Sequence, residues 1–320
     1  MLRIENYSLS LRNSKKKEVK ILDGVSLALE KGKCLGIAGE SGSGKSMLSL
    51  SIPRLIPPSS IVETKGEILF EGKDLLGLSE EEMRILRGKE IAFIFQEPLT
   101  AMNPIMPLQE QLAETIYAHE DNITEKEVFT LVLRALELSG FPEPEKYLNA
   151  YPYQLSGGMQ QRALIAMALI LNPKLIIADE PTTAIDVSLQ VQLLERLKSI
   201  IKSEESSMIF ITHDLGVLRV IADELAIMYC GLVLEYGKCE EILKAPKHPY
   251  TSDLIAALPR LSEAKALPKA IPGFQPSPER RPAGCVYAER CSKAIKSCFE
   301  SRPYLADCGN GVLCACFLSS

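Results

Sequence analysis

The sequence predicts an open α/β fold with one nucleotide crevice, on three features of its 320 residues. Residues 39–46 match the phosphate-loop pattern G-x-x-x-x-G-K-[ST] and stand between a strand-like stretch and a helical one. Separate short apolar runs end at Gln96, at Asp179–Glu180 and at His213. Parallel strands present ligands at their carboxyl ends, so this repetition predicts a parallel sheet with chemistry along one edge. The third feature is Leu155-Ser156-Gly157-Gly158-Met159-Gln160-Gln161-Arg162, a glycine turn running straight into a helical pattern.

Taken in chain order, the lysine run Lys15–Lys17 lies between two strand-like stretches and reads as a solvated hairpin loop. Cys34–Ala38 reads as a buried strand, and residues 46–55 as a helix stopped near Pro53. Between them, Gly39, Gly42 and Gly44 let successive N–H groups point at phosphates, with Ser41 and Ser43 completing the loop. Lys45 supplies a mobile positive charge to the β- and γ-phosphates, and Ser46 a hydroxyl to Mg²⁺. Residues 91–95 form a strand ending at Gln96, whose amide can meet both Mg²⁺ and a lytic water; Pro98 then breaks the strand.

At Ser156 two readings stand side by side. The first-turn N–H groups after Gly157 and Gly158 make an anion site, or Ser156 is the N-cap of an ordinary helix. Residues 174–178 form an apolar strand that ends in two carboxylates. Asp179 is placed to hold Mg²⁺ through water and Glu180 to deprotonate the attacking water, the plain alternative being two acids that cap a following helix. Residues 207–212 form another buried strand, followed by His213, whose neutral imidazole can hydrogen-bond a γ-phosphate. A lone histidine is more often structural, so His213 gains meaning only with the others.

Composition narrows the class. Hydrophobic content of 46% and charged content of 24% are those of a globular protein, and no run of 18 apolar residues exists to span a membrane. The first residues lack an apolar h-region, so no export signal is expected. A net charge of −5 argues against nucleic acid as a partner. Cys34, Cys230 and Cys239 read as buried small residues, whereas Cys285, Cys291, Cys298, Cys308, Cys314 and Cys316 crowd the end of the chain. Without export, such a cluster signals a metal rather than disulfides.

Assembled, these residues resemble the ATPase subunit of an ABC transporter. Residues 39–46 are similar to its Walker A motif, Gln96 to its Q-loop and 155–162 to its signature. Residues 175–180 resemble Walker B, Ala184-Ile185-Asp186 the D-loop, and His213 the switch histidine. The resemblance implies a P-loop NTPase cassette: a RecA-like core, an antiparallel β subdomain and a helical subdomain near 100–160. It also implies that two cassettes pair head to tail, so that Ser156, Gly157 and Gly158 close on ATP held by the partner. The stretch Phe95–Pro104 looks like the Q-loop of the peptide/nickel importer branch, and the motifs at 247–251, 257–259, 271–273 and 284–291 look like that branch's C-terminal extension. The expected organisation is a cassette over 1–245 and a small Cys-rich extension over 246–320.

The branch implies further expectations. The chain is an ATP- and Mg²⁺-dependent ATPase energising di- or oligopeptide import from the cytoplasmic face of the inner membrane. Nickel import and a soluble non-transport ABC ATPase are the alternatives. Its partners are a second cassette subunit (a paralogue), two membrane permeases and, indirectly, an extracytoplasmic solute-binding protein. The groove near residues 98–107 receives the permeases' coupling helix. Cys285, Cys291, Cys298 and Cys314 are expected to hold a [4Fe–4S] cluster, with zinc or no metal as alternatives; Cys316 can replace Cys314. Pro272, Pro276, Pro278 and Pro282 read as a stiff linker into this tail. Two positions depart from the family pattern. Leu11 stands where an aromatic usually stacks on adenine, leaving Tyr7 or aliphatic side chains for that task. Asn310 stands where a histidine usually precedes the last cysteine by four residues.

Overall fold

The computed structural model describes residues 1–182, 187–203, 205–257 and 270–319. The chain forms two compact units. One comprises Met1–Leu29, Leu35–Gly77 and Thr212–Ser320, the other Glu30–Cys34 and Leu78–Ile211.

In the first unit, strands Leu2–Arg12 and Glu18–Leu29 form an antiparallel hairpin, extended by Ile61–Phe70 and Lys73–Asp74. The lysine run is the turn: Asn13 Oδ1 accepts from the N–H groups of Lys15 and Lys17. Asn6 adopts φ 48° where the strand register shifts, and Tyr7 and Leu9 beyond it turn inward. A second sheet in this unit joins Cys34–Ala38 in parallel to Glu224–Tyr229, then antiparallel to Leu232–Lys238 and Val312–Cys314. The phosphate-loop helix runs over Lys45–Ser51, ending sooner than the sequence pattern suggests: Ile52 keeps helical dihedrals, but Pro53 has no N–H with which to continue the hydrogen-bond ladder.

The second unit carries the predicted parallel strands: Ile91–Ile94, Leu175–Asp179 and Ser207–Ile211 pair in that order. The latter two are buried along their whole length, as near-continuous apolar runs should be in a sheet covered on both faces. Helices Leu108–Tyr117, Glu125–Leu138 and Gly157–Leu169 pack Leu112, Ile116, Val132, Leu136 and Ala163 into one core. Glu125–Leu138 is started by a capping box between Thr124 and Glu127. Cys34, Cys230 and Cys239 are buried, as their apolar surroundings in the sequence suggest.

The C-terminal extension is fastened to the first unit through arginines. Arg281 donates to the carbonyls of Lys20 and Ile21, and Arg302 meets Asp23 at 2.6 Å. Burial opposes the charge on Asp23, but hydrogen bonds from Arg302 and Lys20 outweigh it and hold its carboxyl below the ordinary range. Tyr229, Tyr250 and Tyr287 pack ring against ring, and the Tyr287 hydroxyl donates to Asp253 at 2.5 Å. His248 caps helix Pro249–Ala256 by accepting from the Tyr250 N–H through Nδ1. Burial pulls His248 down to about 4 from 6.5, so it is neutral at pH 7.

That buried imidazole sets a pH dependence. Above pH 6.5 it is neutral in folded and unfolded chains alike; between 6.5 and about 4 only the unfolded chain takes up the proton. Stability therefore falls as the pH falls through this window, by up to about 3 kcal/mol from this group. In urea denaturation across pH 7 to 4, His248→Asn, which keeps a capping acceptor, should lose correspondingly less stability than the native chain. Parallel slopes for the two proteins would contradict this.

Candidate active site

The phosphate loop is shaped by what its backbone touches. The buried strand Cys34–Ala38 delivers the chain to Gly39, at φ 153°, where a Cβ would stand 2.1 Å from the Met228 carbonyl oxygen. Gly44, at φ 102°, is the N-cap of helix Lys45–Ser51. No side chain fits the first position and few tolerate the second. Gly42 also takes positive φ, while Ser43 is fully buried and its carbonyl accepts from the Gly231 N–H at 2.8 Å. Lys45 is buried and folds back on the loop, donating from Nζ to the carbonyls of Gly39 (2.8 Å) and Glu40 (3.0 Å). Ser41 and Ser46 are exposed. Also in this unit, His213 is exposed just past strand Ser207–Ile211 and just before helix Leu215–Ile221. Asp214 caps that helix by accepting from the Gly216 N–H at 2.7 Å.

In the second unit the structure brings two predicted residues together: Gln96 Nε2 donates to Glu180 Oε2 at 3.2 Å. Asp179 is buried at the end of strand Leu175–Asp179. Glu180 follows it at φ 48°, with its N–H donated to the Ile211 carbonyl at 2.9 Å. A glutamate held in the left-handed region carries backbone strain, which fits a side chain aimed for chemistry. Ser156 is the N-cap of the 13-residue helix Gly157–Leu169, accepting from the Met159 N–H at 3.4 Å. It and Gly157 are exposed, and a Cβ on Gly157 would meet nothing within 4 Å. The cap is thus present, and it sits on an open glycine face that an anion can approach. The predicted D-loop, Ala184-Ile185-Asp186, lies outside the described residues.

Two expectations change. Tyr7 is not an adenine platform: it is 2% exposed and its hydroxyl is engaged by Ser51, whereas Leu11 on the same strand face is half-buried. In the tail, Cys316 rather than Cys314 lines one small cavity with Cys285, Cys291 and Cys298. Cys314 is drawn into strand Val312–Cys314 opposite Glu235, because strand alternation sends neighbours two apart to the same face only while the strand lasts. Burial raises Cys285 to about 11 and also raises Cys291, whereas a hydrogen bond with Cys314 lowers Cys316. Four thiols suit a soft metal or an iron–sulfur cluster in kind and number. The space between them is only about 10 Å³, one water's worth. No group of three His, Cys, Asp or Glu among the described residues is arranged to hold a metal ion.

Residues 22–183 match the family described as ABC transporter, and residues 234–298 match the oligopeptide/dipeptide transporter C-terminal region. The chain is 49% identical to the oligopeptide transport ATP-binding protein OppD of Bacillus subtilis, over 89% of this chain and 80% of that one. It is 46% identical to the dipeptide transport ATP-binding protein DppD of the same organism, over 89% and 85% of the two chains. Among solved structures, the dimeric bacterial ABC transporter cassette MJ0796 superposes with a TM-score of 0.67 at 28% identity, covering 75% of this chain and 99% of that one. A post-hydrolysis state of that cassette, bound to ADP and Pi, matches equally well. No described helix is long and apolar enough to cross a membrane. The phosphate loop, the parallel strands and both matched regions identify the chain as a member of the ABC transporter family, an ATPase with the cassette fold that acts as the ATP-binding subunit of a transporter.

Proposed function

We propose that this chain hydrolyses ATP to drive uptake of di- or oligopeptides through an ABC importer. The observation that carries the solute class is the match of residues 234–298 to the oligopeptide/dipeptide transporter C-terminal region, continuous with the cassette. The relatives named for oligopeptide and dipeptide transport support the same reading. On this reading the chain works at the cytoplasmic face of the inner membrane with a second, paralogous cassette, two permeases and, indirectly, a solute-binding protein. Exposed Phe95, Ile105 and Tyr153, near the Q-loop and the helical subdomain, offer the apolar contact that a permease's coupling helix needs.

The site residues take these roles. Gly39, Ser41, Gly42, Ser43 and Gly44 cradle the phosphates, and Lys45 leaves its carbonyl partners to meet the β- and γ-oxygens. Ser46, Gln96 and Asp179 would hold Mg²⁺, which when bound would supply positive charge against that developing on the phosphates. Glu180 takes a proton from the attacking water, with Gln96 fixing the carboxylate from one side. His213 hydrogen-bonds the γ-phosphate, and Ser156, Gly157 and Gly158 serve the ATP on the partner's phosphate loop. In the tail, Cys285, Cys291, Cys298 and Cys316 would be the thiolates for a [4Fe–4S] cluster stapling a segment with little core of its own, and the space of about 10 Å³ between them would have to widen to admit it.

In the assembled transporter, Glu180→Gln should bind Mg-ATP with near-native affinity and lose at least about 100-fold in turnover. Lys45→Ala should weaken nucleotide binding itself. Peptides, and not nickel ions, should raise ATP hydrolysis by the reconstituted complex; stimulation by nickel alone would overturn the solute class. For the tail, anaerobic purification should give iron and a charge-transfer band that Cys316→Ser removes and Cys314→Ser keeps. Retention by Cys316→Ser with loss in Cys314→Ser would reverse the ligand assignment, and an iron-free native protein would remove the cluster.

A further inference from the structure

The phosphate loop carries a carboxylate of its own, Glu40, next to the place a polyanion is to occupy. We propose that Arg290, supplied by the Cys-rich extension, is a positioning residue for ATP: it fixes the Glu40 carboxylate and cancels its charge. This rests on the reading that residues 39–46 hold the phosphates. Arg290 grips Glu40 in a two-pronged pair, Nη1 to Oε2 at 2.5 Å and Nη2 to Oε1 at 2.9 Å. Its side chain is only 7% exposed, against 25% for Glu40.

The guanidinium has little freedom to do anything else. Its Nε donates to the Pro272 carbonyl at 2.8 Å and Nη1 to the Tyr229 hydroxyl at 3.0 Å. It also lies 5.7 Å and 5.8 Å from the ring centres of Tyr229 and Tyr287. Glu40 is gripped at three points. Its N–H donates to the Tyr250 hydroxyl at 2.8 Å, its carbonyl accepts from Lys45, and its carboxylate belongs to Arg290. The extension thereby sets the backbone and the charge of a loop residue whose carbonyl holds the phosphate-binding lysine. An uncancelled carboxylate there repels the several negative charges of ATP in a partly desolvated setting, where the effect is larger than in water. The fork geometry makes Arg the residue for the task, with Lys a poor replacement.

The test uses the full chain in the assembled transporter, with fluorescent-nucleotide competition for the Mg-ATP Kd and steady-state KM and kcat. Arg290→Gln should raise Kd and KM by about tenfold, with kcat changing far less. Adding Glu40→Gln should recover most of that loss, and Arg290→Lys should fall between the native chain and Arg290→Gln. Glu40→Gln cannot restore the packing lost with Arg290, so rescue separates charge from folding. Should Arg290→Gln not fold, Arg290→Lys with and without Glu40→Gln carries the same comparison. An unchanged Kd, or no rescue by Glu40→Gln, overturns the proposal while Lys45→Ala still weakens binding. If Lys45→Ala also leaves Kd unchanged, the phosphate-loop reading fails and the proposal with it.

Discussion

The close approach of Gly39 to the Met228 carbonyl is the contact on which the phosphate loop depends. A Cβ at 2.1 Å is impossible there, so the loop exists only because the chain is bare at that point. Met228 belongs to strand Glu224–Tyr229, which pairs in parallel with Cys34–Ala38. The next residue, Tyr229, begins the aromatic cluster that seats Tyr250, Tyr287 and Arg290. One strand thus shapes the loop from below and anchors the C-terminal extension beside it.

Charge is arranged around the same strand. Lys45 is satisfied by the loop's own carbonyls, so it stays buried until a better acceptor arrives. Arg281 and Arg302, on either side of Arg290 in the chain, fasten the extension to Asp23, and Arg290 fastens it to Glu40. The extension is held by these partly buried ion pairs, by the pairing of strand Val312–Cys314 with Leu232–Lys238, and by tilted and edge-on tyrosine contacts. Such pairs fix geometry more reliably than they add stability.

The phosphate loop, the strand ends and the signature were legible because their chemistry is local: glycines at fixed offsets and a polar residue closing an apolar run. The contact of Gln96 with Glu180 follows from two such ends lying on neighbouring parallel strands. Tyr7 misled for a non-local reason, since sharing a face with Leu11 does not tell which end of that face is covered. The choice between Cys314 and Cys316 stayed open in the sequence because the short strand Val312–Cys314 decides which thiol turns toward Cys285, and its pairing with Leu232–Lys238 spans about 80 residues of sequence. The Arg290–Glu40 pair joins positions 250 apart and leaves no periodic trace, although an arginine directly before a cysteine of the cluster was in view.

On the proposed reading the chain supplies half of a composite ATP site, with its signature turned to another subunit's nucleotide. A γ-phosphate photoaffinity analogue of ATP tests it most directly in the assembled transporter whose copy of this chain carries Lys45→Ala. The peptide containing Ser156–Gly158 should still be labelled, because on this reading the label sits on the partner's phosphate loop. Loss of that labelling with Lys45→Ala, while the partner's loop still binds the analogue, would contradict it.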